Sequence, residues 1–173
     1  MHGHPVDFRQ KDEHVAIGNS VTGEIHYMPP AGGLMVRDKL ANLESWLFTS
    51  EGPDPLIRMA VAHYQFEAIH PFIDGNGRTG RIFNILYLIH ERLLDIPVPY
   101  LIRYLIRNKA DYYRLLRAVT EDSDCESWLI LMLTGLEEAA LWTTGRIHAI
   151  QDLLHETIEK CRIVIGPNFI PRS

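Results

Sequence analysis

Apolar positions change their rhythm near residue 34, and that change organises the chain. Residues 6–30 are polar and turn-rich, with two short alternating pieces, Val15-Ala16-Ile17 and Glu24-Ile25-His26-Tyr27. They flank Gly18-Asn19-Ser20-Val21-Thr22-Gly23, and alternation around a glycine-bounded loop predicts a β-hairpin over about 14–28. Pro29 and Pro30 stop it. Downstream the period becomes helical. Val36, Leu40, Leu43, Trp46 and Leu47 share one face and predict a helix near 36–48. Gly52-Pro53-Asp54-Pro55 is a break with a helix-start signal. Helices are predicted next over 55–69 and 77–94. The second of these is apolar nearly all round (Ile82, Phe83, Ile85, Leu86, Leu88, Ile89), which predicts a helix buried at the centre of a bundle. After Asp95-Ile96-Pro97-Val98-Pro99, shorter helices are predicted near 100–107 and 110–121. One or two long helices follow over about 125–161, with Thr143, Thr144 and Gly145 as the weak point. The fold class is therefore all-α, a helical bundle with one small hairpin near the N-terminus, in a single domain spanning 1–173.

Composition narrows the class of function. A chain of 173 residues with 46% hydrophobic content can bury a real core. The formal net charge of −5 argues against nucleic acid as a partner, since such binders carry a basic face. Local arginines remain compatible with a small anionic ligand. Cys125 and Cys161 show no metal-ligand spacing, and reduced thiols in a cytoplasm are a simpler reading than a single disulfide. No apolar run reaches the ~18 residues of a membrane span, and residues 1–5 lack the apolar stretch of a signal peptide. A soluble, cytoplasmic protein is expected.

One dozen residues carries the chemistry. His70 to Arg81 reads His-Pro-Phe-Ile-Asp-Gly-Asn-Gly-Arg-Thr-Gly-Arg, at a junction between two apolar segments. Gly75, Asn76 and Gly77 can turn tightly enough to aim several N–H groups at one point, at the positive end of the next helix. Arg78 and Arg81 are three apart, hence neighbours on one face. Arginines are electrostatically misplaced at a helix N-terminus, which prefers acids, and bound phosphates would resolve that conflict. Asp74 is suited either to cap the helix or to hold Mg²⁺, which takes one or two carboxylates plus phosphate oxygens and water. His70, before the helix-ending Pro71, is either a plain C-cap or a general base held beside the anion site. Phe72 and Ile73 are expected to plug the loop into the core and so fix where His70 points. The remaining histidines give no comparable signal: His63 lacks ligand spacing, and His90, His148 and His155 fall on solvent-facing helix positions.

These twelve residues resemble the Fic family (Fic/DOC superfamily) signature, His-Pro-Phe-x-Asp/Glu-Gly-Asn-Gly-Arg-x-x-Arg, with no departure at a fixed position. The likeness extends from Phe8-Arg9 through the hairpin to about residue 155. It is nearest to bacterial Fic proteins that carry a regulatory helix in front of the core. The resemblance implies a Fic-type helical bundle and protein adenylyl transfer: AMP passes from ATP to a Ser, Thr or Tyr hydroxyl of a target protein, and pyrophosphate leaves. It implies that His70 takes the proton of the attacking hydroxyl and that Asp74 holds Mg²⁺ between the α- and β-phosphates. Gly75, Asn76 and Gly77 would cradle the phosphates, with Asn76 also touching the α-phosphate. Arg78 would neutralise the β/γ end, and Arg81 the phosphates nearer the reaction centre. The hairpin resembles the family's flap, which pairs with an extended stretch of the target. Tyr113 and Tyr112 lie where relatives place an aromatic near the adenine, although a Tyr-Tyr pair is also ordinary core material.

One family feature is missing. Relatives are commonly restrained by a Ser/Thr-x-x-x-Glu-Gly/Asn motif whose glutamate pairs with the arginine matching Arg78. Thr134-Gly135-Leu136-Glu137-Glu138 has the first spacing but is followed by Ala139, inside an apolar helix. The expectation is either a fragment cut in front of the core, more active than the intact protein, or restraint by a separate inhibitory helix or antitoxin that contacts Arg78. A homodimer is left open, as is a DNA-binding region beyond Ser173. Gly77 stands where kinase-like relatives carry lysine, which speaks for AMP transfer. The rival readings are a de-AMPylating Fic enzyme, for which no water-positioning glutamate is visible, and an inactive nucleotide-binding regulatory module.

Overall fold

A computed structural model of the chain describes residues 7–18, 25–49, 51–95, 97 and 101–166. A two-stranded antiparallel hairpin, β1 (Ile17–Gly18) and β2 (Ile25–Tyr27), precedes six helices: α1 (Leu34–Leu47), α2 (Pro55–Ile69), α3 (Asn76–His90), α4 (Leu101–Arg107), α5 (Lys109–Asp122) and α6 (Cys125–Ile165). The strands are shorter than alternation suggests, with a bulge where Ile17 pairs Tyr27 and Gly18 pairs Ile25. Residues 19–24, the predicted turn, lie outside the described residues.

The bundle is organised around α2. Asp54 caps it by accepting from the Leu56 N–H at 2.8 Å, and Pro55 opens the first turn, so the Gly-Pro-Asp-Pro signal works locally as expected. The helix packs against α1, α3 and α6 and buries Met59, Ala60, Ala62, His63, Phe66, Glu67 and Ile69. The buried central helix is thus α2, whereas the sequence pattern nominated α3. Ile82 is 58% and Leu86 59% exposed, because α3 meets α2 along one face only, through Gly80, Asn84, Tyr87 and Leu88. α3 also stops at His90, short of 94, where a turn at Glu91 and Arg92 (φ 57°) redirects the chain.

Trp128 of α6 anchors the other side of the core. It is 1% exposed and donates its indole N–H to Ala60 O at 2.9 Å. The expected weak point at Thr143–Gly145 is absent: α6 runs unbroken to Ile165, with Thr143 buried and nothing within 4 Å of a Cβ at Gly145. A lone interior glycine costs a helix about 1 kcal/mol, too little to break it. Cys125 and Cys161 are both free thiols. Among the described residues no helix is long and apolar enough to cross a membrane.

Candidate active site

The end of α2, the loop 70–75 and the start of α3 form one continuous device. His70 caps α2 in the left-handed region (φ 51°, ψ 61°), its N–H bonded to Phe66 O at 3.0 Å. An L-residue there carries about 1–2 kcal/mol of strain, which the surrounding bonds must offset. Its Nδ1 lies 3.3 Å from Glu67 O. A carbonyl only accepts, so the tautomer that satisfies this contact carries the proton on Nδ1 and leaves the Nε2 lone pair open. Burial lowers the imidazole pKa below its ordinary 6.5, the Arg9 charge lowers it further, and the Glu67 contact opposes both. Half-buried and neutral near pH 7, His70 is a competent proton acceptor.

The loop is tied by Asn76. Its Oδ1 accepts from Phe72 N at 2.9 Å, its Nδ2 donates to Phe72 O at 2.8 Å, and the residue is 2% exposed. The Asn76 side chain is thus engaged in closing the loop. Phe72 packs between Phe8 and Phe66, with ring centroids at 5.6 and 6.4 Å, and plugs the core as the sequence suggested. Ile73, expected beside it, is 63% exposed, because the turn points it the other way.

Gly75 (φ 87°, ψ 3°) is the N-cap of α3, and an L side chain rarely adopts that backbone. The first turn of α3 holds no acid, and Arg78 and Arg81 stand at its mouth, so the unsatisfied N–H groups, the helix dipole and two cations converge. Asp74 accepts from Gly75 N at 2.6 Å through one oxygen and pairs with Arg78 at 3.3 Å through the other. Both side chains are largely in solvent, so the pair itself contributes little. Arg81 folds back over Gly77: a Cβ there would lie 3.2 Å from its Nη1.

Beneath this surface lies a buried polar layer that sequence reasoning missed. Glu67 is 6% exposed, its Oε1 has no hydrogen-bond partner among the described residues, and a Cβ on Gly80 would come within 2.8 Å of it. Burial pushes its carboxyl up to about 7, against the opposing pull of Arg81. His63 lies one turn earlier, fully buried between Tyr112 OH (2.9 Å from Nε2) and Asn84 (3.0 Å from Nδ1). Its pKa falls to about 4, mainly by burial, so it is a neutral structural histidine. The one available signal for Glu67 was its helical spacing from His70. Tyr112 belongs to this layer: its hydroxyl is on His63 and its ring on Trp128, which turns it away from open space. Tyr113 is 42% exposed and lines a hollow with Ile17, Tyr27, Ala68 and Leu116, between the hairpin and α5. The Tyr27 hydroxyl donates to Ala68 O at 3.1 Å and moors the hairpin one turn from His70.

No cluster of three or more His, Cys, Asp or Glu side chains suited to a metal occurs among the described residues. Asp74, 91% exposed, fits an ion that takes one protein carboxylate and otherwise phosphate oxygens and water.

The chain is also similar to known proteins. The chain is 33% identical over 86 residues to a protein adenylyltransferase of Caenorhabditis briggsae, a match covering 49% of this chain and 16% of that protein. It is 32% identical over 92 residues to a probable protein adenylyltransferase of Aquifex aeolicus, covering 53% and 26%. The chain thus spans about a quarter or less of these curated relatives. A crystal structure of a Fic family protein from Desulfovibrio desulfuricans G20 superposes with TM-score 0.69 at 30% identity, over 82% of this chain and 42% of that one. The sequence profile of the Fic/DOC family matches residues 1–88, ending within α3, the helix that carries Arg78 and Arg81, and the chain belongs to that family.

Proposed function

We propose that this chain is a protein adenylyltransferase. A Ser, Thr or Tyr hydroxyl of a target protein attacks the α-phosphorus of ATP, the bond between the α-phosphorus and the bridging oxygen breaks, and pyrophosphate leaves. His70 Nε2 receives the hydroxyl proton. The observation that carries this reading is the open, neutral Nε2 of His70 one short loop away from an acid-free helix N-terminus bearing Arg78 and Arg81. Chemistry of this kind is mostly positioning and charge stabilisation. The N–H groups from Asn76 onward and Arg81 receive the phosphates nearer the reaction, and Arg78 the leaving end. Asp74 would hold Mg²⁺, which neutralises phosphate charge when bound. Tyr113 in its hollow is the proposed adenine contact.

The edge of β2 is the proposed docking site for an extended stretch of target, by strand addition. Main-chain pairing reads little sequence, in keeping with a target that side chains alone do not specify. The restraint proposed for the site is a helix, in cis or from a partner, that competes for Arg78.

Incubating the chain with ATP labelled at the α-phosphate, Mg²⁺ and a protein lysate tests the reading. Label is expected on protein, and His70→Ala, with unchanged circular dichroism, is expected to lower the rate by about 10²–10⁴. Undiminished labelling by that variant would refute the assignment of the base. Loss of AMP from a pre-labelled target would point instead to the reverse reaction.

A further inference from the structure

Arg9 is 1% exposed, far from the motif in sequence and on no predicted element. Its guanidinium nevertheless makes four hydrogen bonds, all to main-chain carbonyls. Nε donates to His70 O at 2.7 Å and Nη2 to Ile69 O at 3.1 Å, at the end of α2. Nη2 also donates to Pro30 O at 2.9 Å and Nη1 to Glu13 O at 3.1 Å, the two flanks of the hairpin. Its own main chain joins in, with Arg9 N on Pro71 O at 2.8 Å and Gly33 N on Arg9 O at 2.6 Å.

Burial of a full charge among neutral acceptors is unfavourable unless its donors are paired, and four of the five guanidinium N–H groups are. Here the planar guanidinium reaches carbonyls that diverge from three segments, which an ammonium on a flexible stem cannot do. One of those carbonyls belongs to His70, whose left-handed backbone requires external support. Two others fix where the hairpin leaves and rejoins the body.

We propose that Arg9 is a positioning residue that locks the His70 cap and both roots of the hairpin into one geometry, so that the base and the target-binding strand keep a fixed relation. Its consequence for transfer rests on the adenylyltransferase reading, whereas the clamp does not. Arg9 is also the charge that bears on His70 from the packed N-terminal segment. Glu67, the acid on the same helix, turns its carboxylate toward α3 and offers His70 only its carbonyl.

The test uses the full chain without nucleotide, as wild type, Arg9→Gln and Arg9→Lys. The probes are NMR titration of the His70 ring and hydrogen exchange of the amides of residues 25–27, His70 and Phe72. Arg9→Gln is expected to raise the His70 midpoint, because a neighbouring cation is gone. Arg9→Lys keeps the charge, so its midpoint is expected to stay near wild type while those amides exchange faster. Both variants are expected to lower the rate of label transfer to lysate protein by about 10–100-fold, the effect of small misplacement of a reacting group. A folded Arg9→Lys with wild-type exchange and transfer would overturn the clamp, as would a folded Arg9→Gln with an unchanged His70 midpoint. If Arg9→Gln does not fold, Arg9→Lys decides alone. If wild type transfers no label, the functional reading fails, and titration and exchange still decide the clamp.

Discussion

His70 combines a left-handed backbone, an Nδ1 directed at a carbonyl and a depressed pKa; burial and Arg9 favour the neutral ring, while the carbonyl contact opposes them and selects the tautomer protonated on Nδ1. With the neutral ring as the proposed base, the reaction is expected at plateau above the His70 pKa and to slow as pH falls through it. Because burial and Arg9 both lower that pKa, the acid limb of the rate is expected below pH 6.5, the ordinary histidine value. A pH profile of label transfer checks this, and an acid limb centred above 6.5 contradicts it. His70, Asp74, Gly75, Arg78 and Arg81 can be nominated from sequence because they fall within twelve residues and their chemistry is local, and the structure gathers them at one helix junction. Asn76 was legible as a member of the loop, but its amide serves Phe72, a distinction that only hydrogen-bond geometry draws.

At the scale of elements, the interface of α2 with α3 sets how firmly the proposed anion site is supported. Gly80 is glycine because the Glu67 carboxyl and the Phe66 ring occupy the space a Cβ would need. Glu67 has a folded pKa of about 7 against an ordinary 4.5, so the folded state binds its proton more tightly than the unfolded state. Its contribution is therefore intact below pH 4.5 and is lost as pH rises through 7. Glu67→Gln removes this penalty, and its stability relative to wild type is expected to rise over that window, by up to about 3 kcal/mol. Urea unfolding at pH 4.5 and pH 8 measures it, and a pH-independent difference would contradict the assignment. Helix starts were readable, as at Asp54-Pro55. The nomination of α3 as the central helix failed, because all-round apolarity shows what a helix could bury and not which face finds a neighbour.

Across the whole molecule, stability is concentrated around α2 and thins along α6. Residues 144–157 are exposed throughout, and Ile150, Leu153 and Leu154 are 58–65% exposed. Hydrogen exchange is expected to be slowest in α2 and faster by orders of magnitude in α6 beyond Thr143, since local opening there breaks few tertiary contacts. Equal protection along α6 would show that the segment is covered in solution. The sequence by itself determined the all-α class, the hairpin and the helix starts as far as α5, and it set His70 to Arg81 at one helix junction, because caps, turns and motif chemistry are written among near neighbours; it left α6 open as one helix or two. Only the tertiary structure decided which helix is central, which tyrosine faces open space, and that Glu67 is buried against Gly80 within reach of the Arg81 charge. It alone revealed the Arg9 clamp, whose partners Ile69 and His70 lie 60 and 61 residues away. A buried charge is held by carbonyls that only folding brings together, and no local pattern announces them.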